Sequence, residues 1–294
     1  MRKDMLNKVT DRVYYMDYVE QGDRAVIGLV IGNDCSLVID GGNSKEHAEE
    51  FLREVSKLDI PKIKYLMLTH WHWDHVFGIK TMNAINIVQR ESYEKIEWLK
   101  TLKWTNEAID ERVNKGEEID FCREHIKIEM PNSNRKIEIP SVDIIFNEEI
   151  EIDLGGLKVK AIHIPCDHSS DSTIVWIEEE KVTFLGDALY LDMYHGEWSY
   201  SREKFYPLLE KLKKQQSEHY IPAHHPKYDN KSFNEFVDYQ IAMGDIVKEL
   251  TSLERAKDIF EDKYKRKVSK QELEDLKVFI NGNRKNLIID NSTK

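Results

Sequence analysis

The chain has 294 residues, of which 40% are hydrophobic, and this ordinary globular composition excludes disordered and fibrous proteins. Its 54 acidic residues outnumber the 43 Lys and Arg residues, and the formal charge of -11 disfavours nucleic acid as a substrate. No stretch approaches the ~18 apolar residues of a membrane span, and no apolar signal-peptide stretch follows the N-terminus, so we expect a cytoplasmic protein without membrane contacts.

The region up to residue 68 predicts strands around one helix. Short apolar stretches over residues 12–40, separated by Gly-Asp and Gly-Asn turn sequences, predict antiparallel strands. Ser44 is placed to cap a helix, and the apolar spacing predicts that this helix covers residues 45–58 and ends before Pro61. The apolar stretch at 63–68 predicts a further strand, which leads directly into a histidine-rich segment.

The middle of the chain predicts a helical insertion and then a second group of strands. After a strand at 85–88, residues 90–130 are rich in helix-forming residues and predict a helical insertion that forms one wall of a pocket. Strand patterns return from 143 to 187 and predict a second β half. A helix at 201–214, bent or restarted at Pro207, then leads to a last strand.

Two strand-rich halves, each followed by helices, predict an α/β fold with αββα layering, in which two sheets pack face to face with helices outside. We assign residues 1–230 to one catalytic domain and residues 231–294 to a helical C-terminal extension packed on it. Ser269 and Glu272 have the spacing of a helix capping box in this extension. Two roles stay open for the extension, which could cap the pocket or form a homodimer surface.

The segment His70-Trp71-His72-Trp73-Asp74-His75 places four good metal ligands within six residues. Imidazole and carboxylate groups are the ligands that zinc and other borderline divalent metals such as iron or manganese prefer. Such polar groups between apolar stretches are costly to bury unless a metal satisfies them. The pattern therefore predicts a metal site, and the adjacent Asp and His predict a second ion beside the first.

Further ligands are expected where later strands end, because four ligands in one loop cannot complete two metal sites. Three candidates follow predicted strands, namely His168, Asp187 and His224. His225 directly follows His224 and is an alternative for the same role. The remaining histidines are expected to be structural or solvated, although His195 is close enough to Asp187 in sequence to line the pocket.

The order of these motifs resembles that of the metallo-β-lactamase superfamily, in particular its glyoxalase II-like and lactonase-like hydrolases, over residues 12–226. The resemblance implies an αββα fold that binds two divalent metal ions. Zinc is the first candidate for these ions, and iron or manganese are the alternatives. The resemblance implies that one ion is bound by His70, His72 and His168. It implies that the other is bound by Asp74, His75 and His224, and that Asp187 bridges the two. It also implies that Asp40 orients a ligand His.

The metal pattern and the resemblance predict a hydrolase. A hydroxide held between two divalent ions forms near neutral pH, because metal binding lowers the pKa of water to about 7. It would attack an ester, thioester or lactone of a small molecule. Asp74 would orient the hydroxide or take its proton. Tyr190 lies three residues after Asp187, and this spacing resembles that of a substrate-contacting Tyr in lactonases of the superfamily.

Several alternatives stay open from the sequence. The main one is a mononuclear iron oxidoreductase of the same fold, similar to the sulfur dioxygenases. Lesser ones are a phosphodiesterase, a β-lactamase and a non-catalytic metal-binding protein, although position 187 is Asp and not the Cys of zinc β-lactamases. Four aromatic residues near the motifs line an apolar pocket or pack within loops: Trp71, Trp73, Tyr194 and Trp198.

Overall fold

The computed structural model describes residues 5–292, without the side chains of residues 288–292. The first half of the chain forms, in order, β1 (Leu6–Lys8), β2 (Val13–Met16), β3 (Ile27–Ile31), β4 (Ser36–Ile39), α1 (Lys45–Val55), β5 (Ile63–Met67), α2 (Trp73–Val76), α3 (Ile79–Met82), β6 (Ile85–Gln89), α4 (Arg90–Leu99), β7 (Trp104–Thr105), α5 (Asn106–Asn114), α6 (Asp120–Glu129), β8 (Asn134–Arg135) and β9 (Ile144–Phe146). The second half forms β10 (Glu149–Asp153), β11 (Lys158–His163), β12 (Thr173–Ile177), β13 (Val182–Gly186), α7 (Arg202–Lys214), β14 (His219–Pro222), β15 (Tyr228–Asp229), α8 (Asn230–Val247), α9 (Leu253–Tyr264) and α10 (Lys270–Ser292).

Two large sheets carry the fold. The first contains seven strands in the order β1-β2-β3-β4-β5-β6-β9, and the second contains six in the order β10-β11-β12-β13-β14-β15. The pairs β4–β5, β5–β6, β6–β9 and β13–β14 are parallel, whereas the other pairs in these two sheets are antiparallel. Parallel neighbours need a crossover connection, and helices supply it. The predicted αββα architecture is therefore confirmed.

Three apolar cores separate the four layers. Leu37 and Ile39 of β4 point between the sheets, where they share a core with Val175 of β12. Val38 lies between them in sequence and points to the opposite face, into a core with Phe51 of α1. This alternation is what a strand with both faces covered requires. All these side chains are buried.

The strand at Ile144–Phe146 does not belong to the second sheet, contrary to its predicted place in the second β half. It pairs in parallel with residues 87–89 of β6 and so extends the first sheet. The helical insertion is part of the crossover that joins these two parallel strands. A strand pattern in the sequence shows that a segment is extended but does not identify its partner, which explains the wrong assignment.

The predicted helix starts and caps agree with the structure in most places. The Ser44 side chain caps α1 by accepting from the backbone N–H of His47, although α1 ends at Val55 and not at residue 58. The capping box at the start of α10 forms, since Ser269 and Glu272 exchange hydrogen bonds of 2.9 and 3.2 Å. Helix α7 continues through Pro207 and does not restart there.

The C-terminal helices α8, α9 and α10 pack beside α7 on the outer face of the second sheet. Phe233, Phe260 and Phe279 are buried in the same apolar core as Leu209 of α7. Among the described helices, none has the length and hydrophobicity to cross a membrane.

Candidate metal centre

The histidine-rich segment follows β5 at the edge of the first sheet. His70 and His72 lie in the extended connection, and Asp74 and His75 lie in the single turn of α2. All four side chains are buried. The change from extended chain to a helical turn brings the four donors to one side of the segment, as the motif predicts.

The other three predicted ligands lie on loops from the second sheet. His168 follows β11, Asp187 follows β13, and His224 follows β14. The backbone before Asp187 is tight, because Gly186 has a φ of 51° and an added Cβ atom would lie 2.7 Å from the Thr69 side chain. Only glycine meets both conditions without strain, so Gly186 lets the second sheet approach the histidine-rich loop.

The seven side chains form two adjoining clusters whose ligand atoms lie within 4.8 Å of one another in each: His70, His72 and His168; and Asp74, His75, Asp187 and His224. The Asp187 Oδ2 atom lies 3.3 Å from His168 Nε2 and 3.7 Å from His224 Nε2, so one carboxylate reaches both clusters. The structure thus brings together the seven residues that the resemblance implies as ligands.

Four of the five clustered imidazoles contact a protein oxygen through Nδ1, the ring nitrogen that faces away from the cluster. The four contacts are His70 Nδ1 to Thr69 Oγ1 (3.2 Å), His75 Nδ1 to Asp40 Oδ2 (2.8 Å), His168 Nδ1 to the Leu191 carbonyl (3.1 Å) and His224 Nδ1 to Asp23 Oδ1 (3.2 Å). An imidazole that donates from Nδ1 keeps the lone pair of Nε2 for a metal. The partners therefore fix both the tautomer and the direction of these rings.

Asp40, which was predicted to orient a ligand His, fixes the loop as well as the ring. Besides contacting His75, its carboxylate accepts hydrogen bonds from the Thr69 backbone N–H (2.8 Å) and the Thr69 hydroxyl (2.9 Å). The backbone of Asp40 has a φ of 64°, in the left-handed region. Strained conformations of this kind persist where surrounding contacts over-determine them, which the contacts of the carboxylate do here.

Asp23 is a partner that the sequence analysis did not identify as part of the site. It lies in the turn between β2 and β3, with a φ of 57°, and its side chain faces His224 from the opposite side to Asp74. Burial and then the charge of Asp74 raise the pKa of the Asp23 carboxyl to about 7 in the metal-free protein. Asp23 thus contacts Nδ1 of His224 in the same way that Asp40 contacts Nδ1 of His75.

The donor set fits divalent cations. His70 Nε2 and Asp187 Oδ1 are buried and form no hydrogen bond, which is costly unless another partner satisfies them. Burial first, and then neighbouring imidazoles, lower the pKa of His70 well below its ordinary value and that of His72 to about 3, so both rings are neutral, the form that binds metal. Asp74 and Asp187 add carboxylates, whose negative charge a divalent cation would neutralise.

A cavity of about 480 Å³ opens onto both clusters. Three parts of the chain surround it: residues 18–23, residues 119–125 of the insertion, and residues 189–200 after Asp187. Its walls are largely apolar or aromatic and include Trp73, Phe121, Leu189, Met193, Tyr194 and Trp198. The insertion therefore forms a pocket wall, as the sequence analysis expected.

The structure distinguishes between the alternatives that the sequence left open for some aromatic and histidine residues. Trp71 does not line the cavity, and packs edge-on against His72 and Trp98 with ring centroids 4.7 and 5.8 Å apart. His195 does not line it either, because its side chain is 82% exposed and contacts Asp192. His125, expected to be structural or solvated, lies in the cavity wall. Sequence spacing along α6 gave no sign of which face meets the cavity.

Tyr190 lies where the two clusters meet the cavity. Its ring is flanked by His168 and His224, with centroids 5.8 and 5.7 Å away, and stacks on His225 at 4.9 Å. The buried phenol oxygen forms no hydrogen bond. Burial and then the charge of Asp187 raise the pKa of Tyr190 above its ordinary value, so the phenol keeps its proton and can donate. His225 lies outside both clusters, behind Tyr190.

Residues 22–224 match the model of the metallo-beta-lactamase superfamily, which is more than half of the chain. The chain belongs to the metallo-beta-lactamase superfamily. Two solved structures of the superfamily have a similar fold. A family protein, TTHA1429, from Thermus thermophilus superposes with a TM-score of 0.58 and 16% identity, covering 86% of this chain and 89% of that one. A metallo-beta-lactamase from Pontibacter korlensis superposes with a TM-score of 0.55 and 16% identity, covering 79% of this chain and 96% of that one.

The chain is also similar to relatives named acyl-coenzyme A thioesterase. It is 25% identical over 186 residues to the acyl-coenzyme A thioesterase MBLAC2 of Gallus gallus, covering 59% of this chain and 60% of that one. The human protein of the same name is 24% identical over 186 residues, covering 59% and 61%. The match therefore spans about three fifths of the length of these relatives.

Proposed function

We propose that this superfamily member is a metal-dependent hydrolase that binds two divalent cations and cleaves the thioester or ester of a small molecule with a neutral, apolar acyl group. The observation that carries the proposal is the pair of buried donor clusters that open into one apolar cavity. The names of the relatives favour a thioester over an ester. Zinc is the first candidate metal, and iron and manganese are the alternatives.

In this proposal the two clusters hold one cation each. His70, His72 and His168 would bind the first, Asp74, His75 and His224 would bind the second, and Asp187 would contact both. Two divalent cations bound there supply acidity to water and polarise an acyl carbonyl. Asp40 contacts Nδ1 of His75 and Asp23 contacts Nδ1 of His224, and these contacts keep both rings in the binding orientation.

Two side chains act on the reacting groups in this proposal. Asp74 lies at the cavity wall with its Oδ2 atom 2.9 Å from His75 Nε2 and 3.0 Å from His224 Nε2, which places it to orient a water molecule and accept its proton. Tyr190 points a protonated, unpartnered phenol toward the same space and is placed to donate a hydrogen bond to the carbonyl or leaving group of the substrate.

The charges in the cavity favour a neutral acyl group. Among the described residues no Lys or Arg lines the cavity, whereas Glu20 and Asp23 do. A carboxylated acyl group would therefore find no cationic side chain to pair with in the apolar part of the cavity, and an unpaired charge is costly to bury there. If the leaving group is a phosphorylated thiol, its phosphates lie outside this cavity.

The proposal is tested by metal analysis together with a substrate panel. We expect about two divalent ions per chain in protein purified without added metal, measured by plasma mass spectrometry. The panel should contain acyl thioesters of increasing chain length, neutral esters, lactones, a phosphodiester and a β-lactam. Two ions and preferred thioester or ester hydrolysis support the proposal. One iron per chain without hydrolysis would indicate the oxidoreductase alternative, and no bound metal would exclude both.

Tyr190→Phe is expected to lower kcat by about 10²-fold, because it removes one hydrogen-bond donor from the reacting groups. The metal content and the KM are expected to change little, since the ring and its stacking on His225 are kept. Steady-state kinetics with the best substrate of the panel measure the effect. Tyr194→Phe is a matched control, because Tyr194 lines the same cavity but its phenol already contacts Cys122 at 3.3 Å. An unchanged kcat in Tyr190→Phe would remove this role.

Asp23→Gly is expected to weaken metal binding by about 10- to 100-fold, the usual cost of losing a partner that orients a ligand His. Glycine keeps the positive φ of the turn, so the variant removes the carboxylate without adding strain. Asp23→Asn keeps an acceptor for His224 and is expected to lie between the wild type and Asp23→Gly. Competition with a chromogenic chelator measures the affinity. Wild-type affinity in Asp23→Gly would show that Asp23 does not orient His224.

A further inference from the structure

The segment after Tyr190 forms one wall of the cavity, and we call residues 191–200 the pocket loop. Leu191, Met193, Tyr194 and Trp198 of this loop line the cavity. The loop also reaches the metal centre directly, because the Leu191 carbonyl accepts a hydrogen bond from His168 Nδ1 at 3.1 Å. The position of the loop therefore affects both the space for a substrate and the direction of one predicted ligand.

The pocket loop is organised around Asp192. The backbones of Asp192 and Ser199 exchange two hydrogen bonds, of 3.0 and 3.2 Å, which close the loop. The Asp192 Oδ1 atom accepts from the backbone N–H groups of Tyr194 and His195, both at 3.1 Å. This carboxylate therefore shapes the part of the loop that faces the cavity.

Helix α10 of the C-terminal extension contacts this loop through polar groups. Lys285 Nζ lies 3.0 Å from Asp192 Oδ2, and the side chains of both are less than one fifth exposed. Asn281 Nδ2 donates to the Trp198 carbonyl at 3.0 Å. The Tyr200 backbone N–H donates to a carbonyl of α10, at Val278, at 3.1 Å. The helix thus holds the C-terminal end of the loop and, near the N-terminal end, the carboxylate of Asp192.

Close packing reinforces these contacts at one point. A Cβ atom added to Gly282 would lie 2.0 Å from the Tyr200 carbonyl oxygen, so the helix backbone and the loop backbone touch there. Helix packing for stability alone needs an apolar face, which α10 already presents with Phe279 in the core beside α7. The polar contacts to the loop are additional to that face.

We infer that α10 sets the form of the acyl-binding cavity by holding the pocket loop, with Lys285 as the positioning residue. The part of the inference that concerns acyl groups rests on the proposed function, whereas the control of the loop does not. Helix α10 lies after the 22–224 region that the superfamily model matches, so this device is specific to the extension. A partly buried pair such as Lys285 and Asp192 is less screened by salt than an exposed pair.

Lys285→Met tests the inference, because it removes the charge and keeps most of the side-chain length. Lys285→Arg is the rescue variant, since it keeps the charge. Lys270→Met is the matched control, because Lys270 lies exposed at the start of the same helix. Hydrogen exchange followed by mass spectrometry reports on the loop with or without bound metal, and the thermal midpoint shows whether the fold is intact.

In Lys285→Met we expect amide exchange in residues 191–200 to accelerate about tenfold or more, without a change in residues 70–75. We expect the KM for long-chain acyl thioesters to rise about 5-fold or more, because a displaced loop would lose contact with one or two methylenes of the acyl chain. The KM for an acetyl thioester should change little, because its acyl group is too short to lose such contacts. Lys285→Arg and Lys270→Met should match the wild type.

Unchanged exchange in the loop of folded Lys285→Met would overturn the inference, as would equal acceleration over the whole chain. If the wild-type protein hydrolyses no thioester or ester, the proposed function fails, but loop exchange still decides whether α10 controls the cavity.

Discussion

Asp187→Asn is expected to lower kcat/KM by about 10³-fold or more and to lower the metal content of the purified protein. The Asp187 carboxylate reaches both clusters, since its Oδ2 atom lies within 3.3 Å of His168 Nε2 and 3.7 Å of His224 Nε2. An amide of the same size is uncharged and a weaker ligand, so several kcal/mol of charge stabilisation are lost, and each 1.4 kcal/mol is about tenfold in rate. Plasma mass spectrometry and steady-state kinetics measure the two effects.

Asp275→Asn is the matched control for this variant. Asp275 is partly buried and accepts a hydrogen bond from the Tyr239 hydroxyl, but it lies in α10, outside both clusters. We expect it to keep wild-type metal content and kcat/KM. If Asp187→Asn keeps two ions per chain and stays within tenfold of the wild-type rate, Asp187 does not join two catalytic metal ions and the proposed arrangement is wrong.

The seven clustered residues could be identified from the sequence because the information is local. Four donors occur within six residues of the histidine-rich segment, and His168, Asp187 and His224 each follow a predicted strand. In a layered fold the ends of neighbouring strands meet at one edge, so residues that follow different strands come together there. Their roles as ligands stay a prediction until metal is measured.

Asp23 and the contacts of α10 could not be predicted in the same way. The Gly22-Asp23 sequence indicates a turn, since Gly and Asp tolerate positive φ, and a turn with this sequence is common whether or not its carboxylate contacts another residue. Its partner, His224, is 201 residues later in the chain. Lys285 likewise has no local feature that links it to Asp192. Such pairs depend on the packing of distant elements, which patterns along the sequence do not show.

Removing bound cations with a chelator is expected to lower the thermal midpoint by about 10 °C or more. A cation present at 1,000 times its dissociation constant stabilises the folded state by about 4 kcal/mol per site, and each kcal/mol shifts the midpoint of a chain this large by about 2–4 °C. The physical reason lies in the clusters. Without cations, buried atoms such as His70 Nε2 and Asp187 Oδ1 lack partners. Scanning calorimetry before and after chelation measures the difference.

Two comparisons separate loss of metal from other effects of the chelator. Adding back zinc after the chelator is dialysed away should restore the midpoint, whereas adding magnesium should not, because Mg²⁺ prefers oxygen ligands to imidazole. Asp187→Asn should respond less to chelation than the wild type, because it holds less metal to begin with. A wild-type midpoint that stays unchanged when metal analysis shows both ions removed would mean that His75, His224 and the carboxylates beside them stabilise the centre as ion pairs. The bound cations would then contribute little to the stability of the fold.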